Sequence, residues 1–333
     1  MTHPQDIPSQ PAVTAALSKD SLRGILLPFT TPFKANDDLD VDGLRDNIRK
    51  WNKTGVAGYV ALGSTGERVN LNEREYLQVI ETARAAVPSD LVFIVGVGQQ
   101  STRGTIEEIK RAIAVGGDGA LVLTPYFYRS AIMQEALVSH YMAVADDSPV
   151  PIILYSMPDL TGIKIEPQTV AQLSTHQNII GIKDSSADMA GLRETVRLTP
   201  DDFAVLVGNG TVLLEGLSAG GCGGVLAVGC VAAALCLEIY RLTQVGDEKK
   251  AAIMQEKLTP LALAVTKRYG ISGLKAALDM TGFAGGAGRA PLRAASEAAR
   301  LEIAGLLKDL QRDESSYYKS TDDEIRVTGA VKA

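Results

Sequence analysis

The chain has 333 residues, of which 46% are hydrophobic and 22% are charged, and its formal net charge is −6. These values are typical of a soluble globular protein with one large domain or two smaller ones. The acidic balance, without any basic cluster, argues against nucleic acid as a partner, and no apolar run approaches the roughly 20 residues that would span a membrane.

Residues 1–20 are expected to form a flexible leader. They contain three prolines, one lysine and no arginine, which fits neither a secretory signal nor an Arg-rich transit peptide. Three cysteines lie further along in an apolar, Gly/Ala-rich region, and we interpret them as small buried residues rather than a disulfide framework. They are Cys222, Cys230 and Cys236. We therefore expect a cytoplasmic protein. Since the three histidines are scattered, no metal site is expected.

Eight short apolar runs predict strands. They cover residues 24–27, 58–62, 91–95, 119–123, 151–155, 179–183, 203–207 and 223–228. Each run is continuous rather than alternating, which is typical of parallel strands covered on both faces. Segments with apolar residues three or four positions apart lie between them and predict helices. These cover residues 41–54, 72–87, 102–115, 133–145, 167–174, 190–198 and 211–219. Asn72 and Glu75 form a capping-box pattern at the start of one of them.

This alternation predicts an α/β fold, a (β/α)8 TIM barrel with a C-terminal helical extension. A doubly wound open sheet is the alternative, but Gly96-Val97-Gly98 lacks the third glycine of a dinucleotide-binding fingerprint. After the eighth strand the pattern is helical over residues 232–244, 249–269, 272–280 and 292–310. We therefore divide the chain into a leader (1–20), a barrel (21–230), a helical region (231–310) and a polar tail (311–333), which Tyr317 and Tyr318 could anchor.

Lys183 follows directly on the apolar core of the sixth predicted strand. An ammonium at such a position loses hydration, which favours the neutral amine. A neutral lysine amine is a nucleophile that forms a Schiff base with ketones. The alternative is a strand-end lysine whose tip reaches water.

The other strand ends supply groups that suit such chemistry, because active sites of these barrels lie at the C-terminal ends of the strands. Gly63-Ser64-Thr65-Gly66-Glu67 places two hydroxyls between glycines, which suits a carboxylate, although an ordinary Gly/Ser turn has the same pattern. Tyr155 could shuttle protons if it reaches the lysine, or could be a packing aromatic. Gly208-Asn209-Gly210 permits close approach of a ligand. Together these groups favour Schiff-base chemistry on a 2-oxo acid.

Three segments resemble the dihydrodipicolinate synthase / N-acetylneuraminate lyase family of pyruvate-dependent class I aldolases. They are Gly63-Ser64-Thr65-Gly66-Glu67, Tyr155-Ser156-Met157-Pro158 with Thr161-Gly162, and Gly181-Ile182-Lys183-Asp184. They occur in the family's order, and the likeness covers about residues 21–310. The resemblance implies a (β/α)8 barrel, a pyruvate Schiff base, no metal or cofactor, and a homotetramer or homodimer.

The same resemblance implies roles for individual residues. Lys183 would be the Schiff-base lysine and Tyr155 the proton relay. Ser64 and Thr65 would hold the pyruvate carboxylate. Three further residues would contact the substrate: Gly208 and Leu226 through their backbone, and Ser185 at the distal part.

Two departures distinguish the chain from the synthases of the family. The synthase position that carries an arginine for aspartate semialdehyde is Leu160, which can bind no carboxylate. The synthase tyrosine lent across the dimer corresponds to Phe127, so either Tyr126 or Tyr128 replaces it or the relay is shorter. The segments 265–275 and 289–292 are similar to 4-hydroxy-2-oxoglutarate aldolases, which often have Asn where this chain has Thr65.

The favoured hypothesis is cleavage of 4-hydroxy-2-oxoglutarate to pyruvate and glyoxylate. A dihydrodipicolinate synthase, a 2-keto-3-deoxy sugar-acid aldolase and a non-catalytic 2-oxo acid sensor are the alternatives. Arg68 and Arg129 are candidate donors for the far carboxylate, although both could be solvated loop charges.

Overall fold

The structure, a computed structural model, describes residues 17–310 and residue 312, and it contains a closed barrel of eight parallel strands. Each strand pairs with the next along the chain, and β8 pairs with β1. The strands are β1 (Gly24–Pro28), β2 (Gly58–Ala61), β3 (Val92–Val97), β4 (Gly119–Leu123), β5 (Ile152–Ser156), β6 (Ile179–Asp184), β7 (Ala204–Val207) and β8 (Gly223–Val225). The predicted (β/α)8 barrel is thus confirmed, with each strand within a few residues of its predicted position.

Helices connect the strands and cover the outside of the barrel. They are α1 (Val41–Trp51), α2 (Glu73–Ala86), α3 (Thr102–Ala114), α4 (Gln134–Asp147), α5 (Pro158–Thr161), α6 (Pro167–Leu173), α7 (Met189–Leu198), α8 (Leu213–Ser218) and α9 (Gly229–Gln244). The capping box of α2 is present: Asn72 accepts the backbone N–H of Glu75, and the Glu75 carboxylate accepts that of Asn72. Short α5, directly after β5, was not predicted.

Two separate apolar clusters form the core. Alternate strand residues point inward and fill the barrel, among them Leu26, Val60, Ile94, Leu121, Ile153 and Leu206. The residues between them point outward and pack against the helices, as Tyr59, Val95, Leu154 and Val207 do. Because both faces of every strand are buried, the strands need continuous apolar runs, which is why the sequence pattern identified them.

The described end of the predicted leader belongs to the barrel. Leu17 is buried with the inner cluster, and a Cβ at Gly119, the first residue of β4, would lie 2.5 Å from its side chain. Leu17 therefore closes the N-terminal end of the barrel, opposite the end where the active site is expected. Residues 1–16 and the predicted tail, including Tyr317 and Tyr318, lie outside the described residues.

The helix after β8 completes the outer ring. The Trp51 indole N–H on α1 donates to the carbonyl of Cys230 on α9 at 2.9 Å, which joins the first and last barrel helices. The predicted boundary at residue 230 falls inside α9, and the division into domains stays a prediction. Beyond it lie α10 (Glu248–Leu263), a π-helix (Ala264–Arg268) and α11 (Gly270–Met280).

The last predicted helix was wrong at its start. Residues 292–296 are not helical, and the final helix, α12, covers residues 297–310. Ser296, rather than Leu292, begins the helix, since its hydroxyl accepts the N–H of Ala299 at 3.2 Å, an N-cap contact. Across residues 17–310, no helix combines the length and apolarity needed to cross a membrane.

Candidate active site

Lys183 and Tyr155 are direct neighbours inside the mouth of the barrel. They pair in register on β6 and β5, so their side chains leave the sheet on the same face. Each is only 3% exposed. The Lys183 amine lies over the Tyr155 ring, 4.2 Å from its centroid. The structure thus brings together the two residues that the sequence proposed as nucleophile and proton relay.

Ser64 lies next to Tyr155 on the third strand end of the site. The tight turn after β2 (Ser64–Gly66) is a 3₁₀ helix, and it places the Ser64 hydroxyl 3.0 Å from the Tyr155 hydroxyl. Thr65 in the same turn is 7% exposed. The Thr31 hydroxyl stabilises the turn by donating to the carbonyl of Gly66 at 2.7 Å. This arrangement would let a proton pass between Tyr155 and Ser64.

A cavity of about 200 Å³ surrounds the Lys183 amine. It is lined by six of the seven predicted site residues: Ser64, Thr65, Tyr155, Lys183, Ser185 and Gly208. A Cβ at Gly208 would lie 2.0 Å from the Ser185 hydroxyl oxygen, so a glycine there is needed to make room for that hydroxyl. Leu226 has its side chain in the outer core, whereas its neighbours Val225 and Ala227 line the cavity. A substrate contact through the Leu226 backbone stays a prediction.

Asp184 orders the loop that carries Ser185. Its carboxylate accepts the backbone N–H of Ser186 at 2.7 Å, and the Ser185 N–H donates to the carbonyl of Ser156 at 3.0 Å. Burial raises the pKa of the Asp184 carboxyl. The strand end that supplies Lys183 therefore also fixes the next hydroxyl at the cavity wall.

The C-terminal region contributes residues that were not proposed for the site. Val265 and Thr266 of the π-helix, with Gly270 and Ile271 at the start of α11, line the same cavity. The Thr266 hydroxyl donates to the carbonyl of Ala262 at 2.5 Å, as π-helical and helical threonines often do. The similarity of segment 265–275 to the 4-hydroxy-2-oxoglutarate aldolases was a sequence indication that this segment belongs to the site. No periodicity could show that it turns toward the barrel mouth.

A second, outer cavity of about 350 Å³ adjoins the first and shares Ser64, Tyr155, Leu160 and Ile271 with it. Its wall is mainly apolar, with Leu62, Val97, Leu121, Leu123 and Leu292 among its residues. Leu160 is 64% exposed at the lip between the two cavities. The position at which the family's synthases carry an arginine is therefore at the mouth, and here it is apolar.

The aromatic stretch after β4 is divided between the cavity and the surface. Tyr126 lines the outer cavity, whereas Phe127 and Tyr128 are 71% and 70% exposed. The Gln100 side-chain carbonyl accepts the backbone N–H groups of Tyr126 and Phe127, which fixes the stretch. Of the two tyrosines proposed to replace the missing relay, only Tyr126 reaches the cavity within this chain.

Neither arginine proposed for the far carboxylate is presented to the inner cavity. Arg68 lines the outer cavity, but its guanidinium is bound to the buried Glu108 carboxylate in a close ion pair. Glu108 also accepts the N–H of Gly98 at 2.8 Å. Arg129 is exposed and lies beside Gly162. A contact of Arg68 or Arg129 with the far carboxylate stays a prediction, and Arg68 would make it while paired with Glu108.

A second buried lysine, Lys275, was not predicted from the sequence. Lys275 on α11 has a fully buried side chain, and its amine lies 2.5 Å from the Glu67 carboxylate and donates to the carbonyl of Ala287 at 2.8 Å. Burial lowers the pKa of Lys275, and the Glu67 charge opposes that shift. The sequence places Lys275 on a helix of mixed polarity, so nothing there distinguished it from a surface lysine.

In the described part of the chain, no group of three or more His, Cys, Asp or Glu side chains could hold a metal.

The sequence matches the Dihydrodipicolinate synthetase family over residues 21–310. The chain belongs to this family. It is 35% identical to a 4-hydroxy-tetrahydrodipicolinate synthase of Syntrophus aciditrophicus, over 86% of this chain and 98% of the relative. The family resemblance seen in the three sequence motifs is thus confirmed.

Solved structures of the family have the same fold. The dihydrodipicolinate synthase of Thermotoga maritima superposes with a TM-score of 0.82 at 32% identity, covering 86% of this chain and 98% of that one. YagE, a prophage protein of the family from E. coli K12 whose structure contains pyruvate, has a TM-score of 0.80 at 29% identity and covers 87% and 98%. As a member of the family, the protein is a lyase that acts with pyruvate.

Proposed function

We propose that the protein is a class I aldolase in which Lys183 forms a Schiff base with pyruvate. The observation that carries this proposal is the chain Lys183, Tyr155 and Ser64: a buried amine over a phenol ring whose hydroxyl is 3.0 Å from the serine hydroxyl. A nucleophile next to a positioned proton carrier is what carbinolamine formation and dehydration require. A protein that only bound a 2-oxo acid would need neither.

The substrate would be oriented by its carboxylate. Ser64 and Thr65 would bind that carboxylate at the turn after β2, so that the C2 carbonyl faces Lys183. The amine adds to C2, and loss of water leaves a protonated imine. Burial of Thr65, Lys183 and Tyr155 limits the access of bulk water, which would otherwise compete for these hydrogen bonds.

Cleavage then needs two proton transfers, one from the C4 hydroxyl and one to C3. Tyr155, with Ser64, would accept the proton of the C4 hydroxyl while the C3–C4 bond breaks and its electron pair moves into the imine to give an enamine. The aldehyde leaves, the enamine is protonated at C3, and hydrolysis of the imine releases pyruvate and restores the lysine. The water lost in imine formation is regained in this last step, so the reaction needs no co-reactant.

The aldehyde released would be glyoxylate, with 4-hydroxy-2-oxoglutarate as the substrate. The inner cavity is small, and the Ser185 hydroxyl in its wall is available to the far carboxylate. Leu160 provides no cation for the longer aldehyde of the synthases. The similarity of segments 265–275 and 289–292 to the 4-hydroxy-2-oxoglutarate aldolases supports the same substrate. Four residues of the first segment line the cavity: Val265, Thr266, Gly270 and Ile271.

The second candidate is 4-hydroxy-tetrahydrodipicolinate synthase, because relatives at 34–35% identity carry that name. This activity would have to bind aspartate semialdehyde without an arginine at position 160. A sugar-acid aldolase would need several hydroxyl-binding groups in the outer cavity, whose wall is mainly apolar.

Two measurements test the proposal. Pyruvate with borohydride should add a reduced pyruvyl group to Lys183 and abolish activity, whereas Lys183→Met should not be labelled. Labelling of another lysine, such as Lys164, would refute the assigned site. The second measurement compares kcat/KM for pyruvate release from 4-hydroxy-2-oxoglutarate with kcat/KM for condensation of pyruvate with aspartate semialdehyde. Faster condensation would replace the aldolase proposal by the synthase.

We further infer a cytoplasmic homodimer or homotetramer. The free thiols of Cys222, Cys230 and Cys236 are buried, which suits a reducing compartment. Phe127 and Tyr128 form an exposed aromatic pair with ring centroids 5.1 Å apart next to the mouth, a surface that a second subunit would cover.

A further inference from the structure

A buried carboxylate lies directly behind the turn that would bind pyruvate. Glu67 ends the Ser64–Gly66 turn in a left-handed conformation, with φ 54° and ψ 32°, which is uncommon for a residue other than glycine. Its side chain is 1% exposed. A negative charge at this position would repel the carboxylate of a bound 2-oxo acid unless a cation neutralised it.

Lys275 is the cation that faces this carboxylate. Its amine lies 2.5 Å from Glu67 Oε1 and 4.4 Å from the centroid of the Phe33 ring. The second carboxylate oxygen, Oε2, accepts the backbone N–H of Arg289 at 2.9 Å and the amide of Asn70 at 3.3 Å. Each oxygen of Glu67 is thus bound by a group that is far away in the sequence, Oε1 by Lys275 and Oε2 by Arg289.

The same contacts connect the turn to the C-terminal part of the cavity. Lys275 lies on α11, which begins at Gly270 and carries Ile271 into the inner cavity. The Arg289 guanidinium makes two hydrogen bonds of 2.7 and 2.8 Å to the Glu75 carboxylate at the start of α2. The turn after β2 and the wall formed by α11 are therefore held in one arrangement by buried ionic contacts.

We propose that Glu67 and Lys275 form a positioning pair that holds the Ser64–Thr65 turn in the conformation that binds the pyruvate carboxylate. This proposal rests on the proposed function. Lys275 does two things: it fixes Glu67 in its left-handed conformation, and it cancels the charge behind the turn. Neither residue lines the inner cavity around Lys183, so neither is assigned a catalytic role.

The test measures selectivity for a carboxylate rather than activity alone. Borohydride traps the Schiff base at Lys183 either with pyruvate or with acetone, which has the ketone but no carboxylate, and peptide mapping by mass spectrometry quantifies each adduct. Lys275→Met should raise the pyruvate concentration for half-maximal labelling by about tenfold or more, the size expected when a charge-assisted contact is lost. Acetone labelling should stay unchanged, because it makes no use of the turn.

Two further variants separate this role from simple stabilisation. Glu67→Gln/Lys275→Met removes both charges and should bind pyruvate more tightly than Lys275→Met, although less tightly than the unmodified enzyme. Arg84→Met is the control, since Arg84 forms a partly buried ion pair of 3.2 Å with Asp118 at the opposite end of the barrel, and its labelling should match that of the unmodified enzyme.

The outcomes are distinguishable. Unchanged pyruvate dependence in Lys275→Met, or an equal loss of pyruvate and acetone labelling, would overturn the positioning role. If Lys275→Met does not fold, the double variant decides alone: selectivity for pyruvate equal to that of the unmodified enzyme overturns the proposal, and so does a failure of both variants to fold. A lack of pyruvate labelling in the unmodified enzyme would instead refute the proposed function.

Discussion

The hydroxyl of Tyr155 is the atom on which the proposed proton transfers depend, and Tyr155→Phe removes it alone. The ring remains, so the inner core cluster and the contact with the Lys183 amine are kept. The variant loses the hydrogen bond between the Tyr155 and Ser64 hydroxyls, which are 3.0 Å apart. The variant therefore separates chemistry from packing.

The two expected effects differ greatly in size. A positioned proton carrier typically contributes about 10²–10⁴-fold, so kcat for pyruvate release should fall by that factor, which corresponds to about 3–5 kcal/mol of activation free energy. Loss of one neutral hydrogen bond typically lowers the free energy of unfolding by only about 1 kcal/mol. A large loss of kcat with a nearly unchanged melting temperature is therefore expected.

Tyr141→Phe is a matched control. Tyr141 is also fully buried, and its hydroxyl donates to the carbonyl of Val122 at 3.1 Å, in the outer core away from the cavity. The same single atom is removed at a similar cost in stability, and kcat should stay within about twofold. The assay follows pyruvate release by coupled reduction, with thermal unfolding measured on the same samples. A Tyr155→Phe enzyme with near-normal kcat would show that another group, with Tyr126 the first candidate, carries the proton.

Four other predictions address specificity, assembly, metals and pH. Leu160→Arg should raise kcat/KM for condensation of pyruvate with aspartate semialdehyde by about tenfold or more, since it supplies a charge-assisted contact, whereas Leu160→Met should not. Sedimentation at micromolar concentration should show a dimer or tetramer, and a monomer would contradict this. Dialysis against EDTA should leave activity unchanged, and a loss that zinc or magnesium restores would count against the Schiff-base mechanism. Burial lowers the pKa of His140 to about 4. The unfolded chain binds that proton more readily, so the free energy of unfolding should fall by about 2 kcal/mol from pH 7 to pH 5. Urea titrations should show a smaller fall for His140→Gln.

The fold was predictable because a parallel barrel buries both faces of its strands. Continuous apolar runs such as residues 119–123, when they alternate with helices, are typical of the strands of a parallel sheet. The errors concern the ends of helices, which depend on individual capping contacts. The last helix was predicted to begin at Leu292, four residues before its N-cap at Ser296, because the apolar pattern already begins in the loop that precedes the helix.

The site was predictable to the extent that it depends on strand ends. Lys183, Tyr155 and Ser64 follow β6, β5 and β2 directly, and the geometry of a barrel brings such positions to one rim. Residues placed by tertiary contacts were not predictable. Lys275 is fully buried on a helix that the sequence shows only as amphipathic, and Arg68 meets Glu108 across forty positions of sequence. Charge pairs of this kind have no local signature.

The distribution of charge at the mouth bears directly on the substrate. An arginine that is bound to a buried carboxylate cannot turn to a ligand without leaving that carboxylate unpaired, which is costly in a desolvated site. Arg68 is held in this way by Glu108, and Leu160 offers no charge. Under the proposed function, the far end of the substrate would then meet the neutral hydroxyl of Ser185, at the wall of a cavity of about 200 Å³. Both glyoxylate and aspartate semialdehyde carry a carboxylate, so the chain length separates them: a small cavity without a free cation suits the two-carbon glyoxylate better than the four-carbon aspartate semialdehyde, and this is why the aldolase is the proposed activity.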